Sequence, residues 1–449
     1  MSNKKLTVLI YPMLSVDYLN ADSNYIIIKQ LCNELIKTKR YNFILLINSL
    51  KKYVKDDLNS QVKIIRMPMP TSKKLQVVNF SANIFKQIFN KYAVDIIWNN
   101  VVEQGHHFRF FEDTLLDTQR MKVFNYHHYV IHRSLEYLTN YQPCTHILYD
   151  QIIGSLGADV NYFHTKHCYN MLIEEATDML SANKVEEIKN KSVVSLGGYS
   201  HNIKSKDKYD KFTFIYNHRL DGYKNWKITF NQFDKLWDKG YKFQVILTAG
   251  DKDNINTIVK KPYAIVKSFT KHSDYIKELS KCHANTINSR HETYCISIAE
   301  SIMNDQVVVL PNKVTFPELV GKDYPYLFEN EEEQFEILEK IITDNIKQYK
   351  NPNKQQLKLT NHAKNIHNYF CDLGKPDKDV RVFDRIRKQT TKNSIIDYLS
   401  VRDKVDLKEF RQHIFRLGYA NQSFPNIKIK NILEEMGYSY NVMLDKYIK

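Results

Sequence analysis

Short apolar runs alternate with stretches of helical spacing through the first 330 residues. The first run, Leu6–Tyr11, reads as a buried strand, and residues 24–37 follow with Tyr25, Ile28, Leu31, Cys32 and Leu35 on one helical face. Further strand patterns occupy 43–47, 62–66, 94–98, 122–125 and 161–164, with helical spacing between most of them. A second series begins at 211–216 and continues through 243–251, 263–267, 284–288 and 306–311. Runs that are apolar on both faces, alternating with helices, imply parallel sheets covered on both sides.

Between the last two of these strands lies the most informative stretch. Cys295, Ile296, Ala299, Ile302 and Met303 fall at helical spacing, and Glu292 and Glu300 bracket the start of the helix with seven residues between them. The first turn of such a helix has free amide N–H groups, which attract an anion such as a diphosphate. Carboxylates beside a bound phosphate are repelled unless they hold something else, and a carboxylate can accept two bonds from a vicinal diol. Spacing alone fits this arrangement and a plain amphipathic helix with two solvent-facing glutamates equally well.

Residues 291–301 resemble the E-x7-E signature of retaining GT-B glycosyltransferases, Asn304–Val308 stand where that family has its turn and next strand, and Pro317–Gly321 are similar to its following loop and helix. The resemblance covers roughly residues 210–330, with Cys295 in place of the usual glycine. It implies an α/β fold of GT-B type, two Rossmann-like domains facing a cleft, to which the tail, unexplained by such a core, is expected to add a small C-terminal helical appendage. It also implies a nucleotide-sugar donor, expected to be a UDP-sugar, used as a co-substrate without a further cofactor and with retention at the anomeric carbon. In this reading Glu300 binds the donor ribose, Glu292 the sugar hydroxyls, and Thr293, Tyr294, Cys295 and Ile296 line the donor. Asn217–Trp226 resemble the family's R-x4-K element, so Arg219 and Lys224 hold the diphosphate and stabilise it as it departs. His127 and His128 are similar to the histidine that the family places near the donor sugar, although His106, His107 and His132 nearby fit a histidine-rich surface loop as well. By family position Lys267 contacts the base. No D-x-D pattern stands where it would matter, so metal independence is expected.

The chain has 449 residues, which suits two Rossmann-sized domains and an extra piece. The expected divisions are an N-terminal acceptor domain over 1–198, a nucleotide-sugar domain over 199–392 including a crossover segment, and the appendage over 393–449. Residues 200–211 read as a lysine-rich hinge, and the basic stretch 380–388 as a segment returning to the first domain. Apolar positions in the tail, among them Ile395, Leu399, Phe410, Ile414, Ile429 and Leu433, suggest three short helices. These fit either a helix-turn-helix-like unit or a packing appendage.

Net charge changes the choice of acceptor. At +15 it favours an acidic partner, either duplex DNA or an anionic membrane surface met peripherally, though an AT-rich coding sequence accounts for part of the lysine excess. With the tail it suggests a hydroxymethylated pyrimidine in DNA as acceptor, as in phage enzymes. The alternatives are a surface polysaccharide, lipid-linked glycan or protein acceptor, and a non-catalytic nucleic-acid-binding protein on a decayed transferase fold. Six scattered cysteines without a C-x-x-C pair suggest reduced thiols and no zinc site. With no signal peptide and no apolar run of spanning length, the expected location is the cytoplasm, of a host cell if the protein is viral.

Overall fold

The computed structural model describes residues 5–14, 22–48, 58–67, 76, 80–115, 121–132, 145–198, 207–248, 255–256, 258–269, 271–375, 399, 404–406, 410, 433–434, 437–441 and 446–448. The predicted hinge falls largely outside them, and the basic stretch 380–388 lies wholly outside them. Residues 1–106 and 122–373 form one compact unit, and residues 107–121 and 374–449 a second.

The first unit contains two parallel sheets. One is built from β1 (Leu6–Tyr11), β2 (Tyr41–Asn48), β3 (Lys63–Met67), β4 (Ile96–Asn99), β5 (Lys122–His127), β6 (Val160–Phe163) and β7 (Ser192–Val194), in the order β3-β2-β1-β4-β5-β6-β7. The other comprises β8 (Phe212–Tyr216), β9 (Phe243–Leu247), β10 (Ala264–Val266), β11 (Ala284–Thr286), β12 (Val307–Pro311) and β13 (Leu327–Phe328), in the order β10-β9-β8-β11-β12-β13. Winding therefore reverses beside the first strand of each sheet, between β1 and β4 and between β8 and β11. Such reversals open a crevice at the carboxyl ends of the strands, where ligands of open α/β sheets bind.

The composition of the central strands follows from their position. Every residue of β4, β8 and β12 is buried, so neither face tolerates the polar alternation of a half-exposed strand. Local chemistry sets the helix boundaries. The Asp22 carboxylate accepts from the Asn24 amide at 3.0 Å and starts the helix Ser23–Ile36. Asn330 caps Glu331–Thr343 in the same way, accepting from the Glu333 amide at 2.9 Å.

After β13 the chain returns to the first sheet. The helix Leu359–Leu373 buries Ala363, Ile366 and Phe370, and the Phe370 ring lies 5.2 Å from Phe124 and 5.8 Å from both Trp98 and Tyr41. Gly198 lets this segment approach, because a Cβ there would meet the Leu357 carbonyl oxygen at 2.3 Å. The carbonyl of Gly198 in turn lies 3.1 Å from Nδ1 of the buried His362.

The second unit corrects the expectation of a purely helical appendage. Among its described residues β14 (Lys404–Val405), β15 (Ser439–Asn441) and β16 (Lys446–Ile448) form an antiparallel sheet in the order β14-β16-β15. Helical residues stand at Leu399, Phe410 and Leu433–Glu434, within the stretches where apolar spacing predicts helices. The strands fall in between and after them, where β-favouring residues pair across the sheet, as Tyr440 does with Tyr447.

Candidate functional site

The site is built from two loops at the carboxyl ends of β8 and β11. After β8 the chain passes through Asn217, His218 and Arg219, makes one 3-10 turn over Gly222–Lys224, and enters the helix Trp226–Asp238. Asn225 makes the change of direction in the left-handed region, φ 49°, which asparagine tolerates better than most residues. The 3-10 turn carries Lys224 inward, where its ammonium is buried and bonded to the Glu292 carboxylate, and also stands 5.0 Å from the Tyr223 ring. Burial opposes the charge on Lys224, but the Glu292 carboxylate, helped by Cys295 and Tyr223, outweighs it and holds the ammonium above the ordinary lysine range. Arg219, by contrast, is exposed; it faces Asp221 at 3.2 Å and donates to the Tyr223 hydroxyl at 2.5 Å.

The second loop, 287–295, carries Glu292. It is fastened to the first by the Arg290 amide, which donates to the Tyr223 carbonyl at 2.9 Å. It is also fastened to the first sheet. Thr293 donates through Oγ1 to the His128 carbonyl at 2.9 Å, Thr165 donates to the Thr293 carbonyl at 2.8 Å, and the Tyr294 hydroxyl donates to the Gly197 carbonyl. Further along, both Glu318 oxygens accept from the amides that open the helix Lys166–Met179, Lys166 at 2.6 Å and His167 at 2.7 Å. The Glu292 loop thus bridges the strand ends of both sheets. Beside Glu292, burial pulls His291 down to about 4, even against the carboxylate, and leaves it neutral.

Cys295 precedes the helix Ile296–Met303 with φ 67°, in the left-handed region where a side chain is strained and glycine is at ease. Its thiol is buried, and burial together with the Glu292 charge pushes it up to about 12, so it is no thiolate nucleophile. The amides of Ile296 and Ser297 open the helix, where helical geometry provides no intrahelical acceptor. His218 is buried beside this turn with Nδ1 2.8 Å from the Ser297 hydroxyl, and burial holds the ring well below the ordinary histidine range. One turn on, Glu300 is buried. Its Oε1 lies 3.1 Å from His272 Nε2, and its Oε2 accepts from the Tyr275 hydroxyl at 2.6 Å.

The residues expected from the sequence therefore separate into two groups. Lys224, Glu292, Thr293, Tyr294 and Cys295 lie within a single pair of joined loops, with Ile296 and Glu300 on the helix that follows and Arg219 at the exposed edge. Of the others, His127 and Lys267 have their side-chain partners outside these loops, and His128 meets them through its backbone carbonyl. His127 is fully buried, with Nε2 3.2 Å from Asn161 Oδ1 and its face 4.1 Å from the Phe163 ring, and burial depresses it to about 3. It is a neutral part of the core. His128 is partly exposed and has Nε2 2.8 Å from the Ser23 hydroxyl, while its carbonyl holds Thr293. Lys267 pairs with Glu278 at 2.6 Å and donates to the Tyr209 hydroxyl at 2.8 Å, so its ammonium is already engaged by side chains. Sequence reasoning missed His272 and Tyr275. They stand at a spacing of three on the helix His272–Lys281, which reads from the sequence only as an ordinary amphipathic segment.

Among the described residues no group of three or more His, Cys, Asp or Glu side chains is placed to hold a metal ion, and no helix is long and apolar enough to cross a membrane.

Two parallel Rossmann-like sheets meeting at their strand ends define the GT-B fold, and solved structures agree. A sucrose-phosphate synthase from Thermosynechococcus elongatus superposes with a TM-score of 0.65 at 12% identity, over 82% of this chain and 99% of that one. The Anabaena protein HepE, solved with UDP and glucose, gives 0.59 at 12% identity over 82% and 99%. The lipopolysaccharide outer core galactosyltransferase WaaB gives 0.56 at 11% over 82% and 99%. No protein-family model matches the chain, and no curated protein matches it in sequence. The chain is thus of the GT-B class by fold.

Proposed function

We propose that the protein is a retaining glycosyltransferase that moves a sugar from a nucleotide-sugar donor, a UDP-sugar in the first instance, to an acceptor hydroxyl. The observation that carries this reading is the junction of Lys224 and Glu292 beside the start of the helix that bears Glu300. In the reaction the bond from the anomeric carbon to the β-phosphate oxygen breaks, a bond to the acceptor oxygen forms, and the acceptor proton leaves with the departing diphosphate. Charge builds on that diphosphate. Lys224, Arg219 and the amides of Ile296 and Ser297 are the groups available to stabilise it, and they do so without a metal ion. Glu292 takes the sugar hydroxyls and Glu300 the ribose diol. Retention of the anomer rests on the E-x7-E resemblance.

For the acceptor, two observations are compatible with DNA. From residue 399 onwards the described residues place helical positions at Leu399, Phe410 and Leu433–Glu434 around a three-stranded antiparallel sheet whose last strand lies between the other two, features that a winged helix-turn-helix would share. The net charge of +15 adds attraction for phosphates. A hydroxymethylated pyrimidine must be extruded from the duplex to reach a transferase cleft. A glycan acceptor is the second reading, and the likeness in fold to WaaB, a lipopolysaccharide outer core galactosyltransferase, favours it.

The test is release of nucleoside diphosphate from a panel of nucleotide sugars, in the presence of EDTA, with and without hydroxymethylated duplex DNA or oligosaccharides. Turnover that Glu300→Gln abolishes in a folded protein supports the site, and stimulation by DNA, weakening steeply with salt, supports the DNA acceptor. Stimulation by oligosaccharides alone moves the acceptor to glycans. Release that EDTA abolishes and magnesium or manganese restores overturns metal independence, and absence of release with every donor both with EDTA and with those metals overturns the transferase reading.

A further inference from the structure

We infer that Tyr275 and His272 are positioning residues that set Glu300 to read the adjacent hydroxyls of a ribonucleoside diphosphate, and so determine a preference for ribo- over 2′-deoxyribonucleotides. The inference rests on the reading of Glu300 as the ribose ligand.

A buried carboxylate is costly unless its oxygens are satisfied, and Glu300 is only 4% exposed. Each oxygen already has one partner, His272 Nε2 at 3.1 Å on Oε1 and the Tyr275 hydroxyl at 2.6 Å on Oε2. A carboxylate only accepts, so Nε2 is the protonated nitrogen of His272. Each oxygen has about two lone pairs, and one therefore remains on each. Two free lone pairs on the two oxygens of one carboxylate suit two neighbouring hydroxyls. A sugar without its 2′ hydroxyl fills only one, and a site built to bond a hydroxyl discriminates strongly against the analogue lacking it.

The orientation of this carboxylate is fixed from behind. Asn217 Nδ2 donates to the Tyr275 oxygen at 2.6 Å, which leaves the phenolic proton for Glu300. Asn217 Oδ1 accepts from Asn285 Nδ2 at 2.8 Å, and the same Asn285 nitrogen donates to the Ser301 hydroxyl at 2.8 Å. The network thus joins the Lys224 loop, β11 and the helix carrying Glu300. Phenylalanine at 275 would keep the packing and lose the bond that aims Oε2.

Calorimetric titration of the full chain with UDP, ADP and GDP, each against its 2′-deoxy counterpart, tests this. The wild type should bind the ribo form of the preferred base about tenfold tighter, the size expected for one bond to a charged group. In Tyr275→Phe that ratio should collapse towards one, through loss of ribo affinity at unchanged deoxy affinity, with thermal unfolding confirming the fold. His272→Ala gives the same readout through the other oxygen, and decides the matter if the tyrosine variant does not fold. Full retention of the ratio in a folded variant overturns the role of Tyr275 and His272 while leaving Glu300 as the ribose ligand. Equal affinities for ribo and deoxy forms in the wild type overturn the Glu300 reading itself, and no binding of any nucleoside diphosphate overturns both.

Discussion

The chemistry of the site is concentrated in one buried ion pair. Lys224 and Glu292 are each about one-tenth exposed, a position where removing one partner strands the other charge. Lys224→Met should therefore lower the unfolding free energy by roughly 3–5 kcal/mol and nearly abolish donor turnover. Lys224→Met with Glu292→Gln should recover much of the stability and none of the turnover. Urea denaturation beside the diphosphate-release assay separates the two, and a double variant no more stable than the single one would show that the pair is not coupled. Both residues were legible in the sequence through their resemblance to the R-x4-K and E-x7-E elements, because spacing alone fits solvent-facing charges equally well. Their contact was not, since it joins positions 68 apart in the chain. Position 295 shows the reverse case. The resemblance expects glycine there, and the structure supplies the reason in a φ of 67°, a strain the cysteine carries while its thiol fills a buried space.

Among the elements, strands were read most surely, because burial on both faces leaves an uninterrupted apolar run such as Val307–Leu310. Helices with a mixed face said less about where they dock. The helix Leu359–Leu373 follows the nucleotide half in sequence and yet packs under Trp98, Phe124 and Tyr41 of the first sheet, a destination that depends on shape rather than on periodicity. Phe370→Ala should cost roughly 3–5 kcal/mol, as truncation of a fully buried aromatic ring does. Because the helix bridges back to the first sheet, the loss should appear in the folding of that sheet. Amide exchange of β4 and β5 should quicken more than that of β8 and β9, whereas equal acceleration in both sheets would show that the unit unfolds as one block. The tail shows the limit of periodicity. Its strands are two or three residues long, too short to leave a pattern of period two, so a search for helical spacing passes over them.

At the scale of the whole molecule, burial of titratable groups couples stability to pH in two opposite directions. Burial holds His127 and His362 at about 3 and His283 at about 4, below the unfolded value near 6.5. For His283 the geometry states the reason plainly, since Nδ1 accepts from the Thr213 amide at 2.9 Å and cannot do so once protonated. These groups stabilise the fold above about pH 6.5, and that stability is lost as the pH falls towards their folded values. Glu103 behaves oppositely. It is buried beside Gln151 with the Tyr129 hydroxyl on one oxygen, and burial raises it to about 7 against the pull of that hydroxyl. Its contribution is complete below its unfolded value near 4.3 and is lost as the pH rises through about 7. The neutral form of Glu103 thus offsets part of the loss from the histidines on the acid side, and its ionised form lowers stability on the alkaline side. Glu103→Gln keeps the acceptor for Tyr129 and removes the titration. Unfolding free energies of wild type and variant from urea titrations should diverge in favour of the variant between about pH 4.3 and pH 7, by up to about 1.4 kcal/mol per pH unit, and run parallel again above the folded pKa. Curves that stay parallel from pH 4 to pH 8 would place Glu103 in the ordinary carboxylate range, with its buried oxygen satisfied in the charged state.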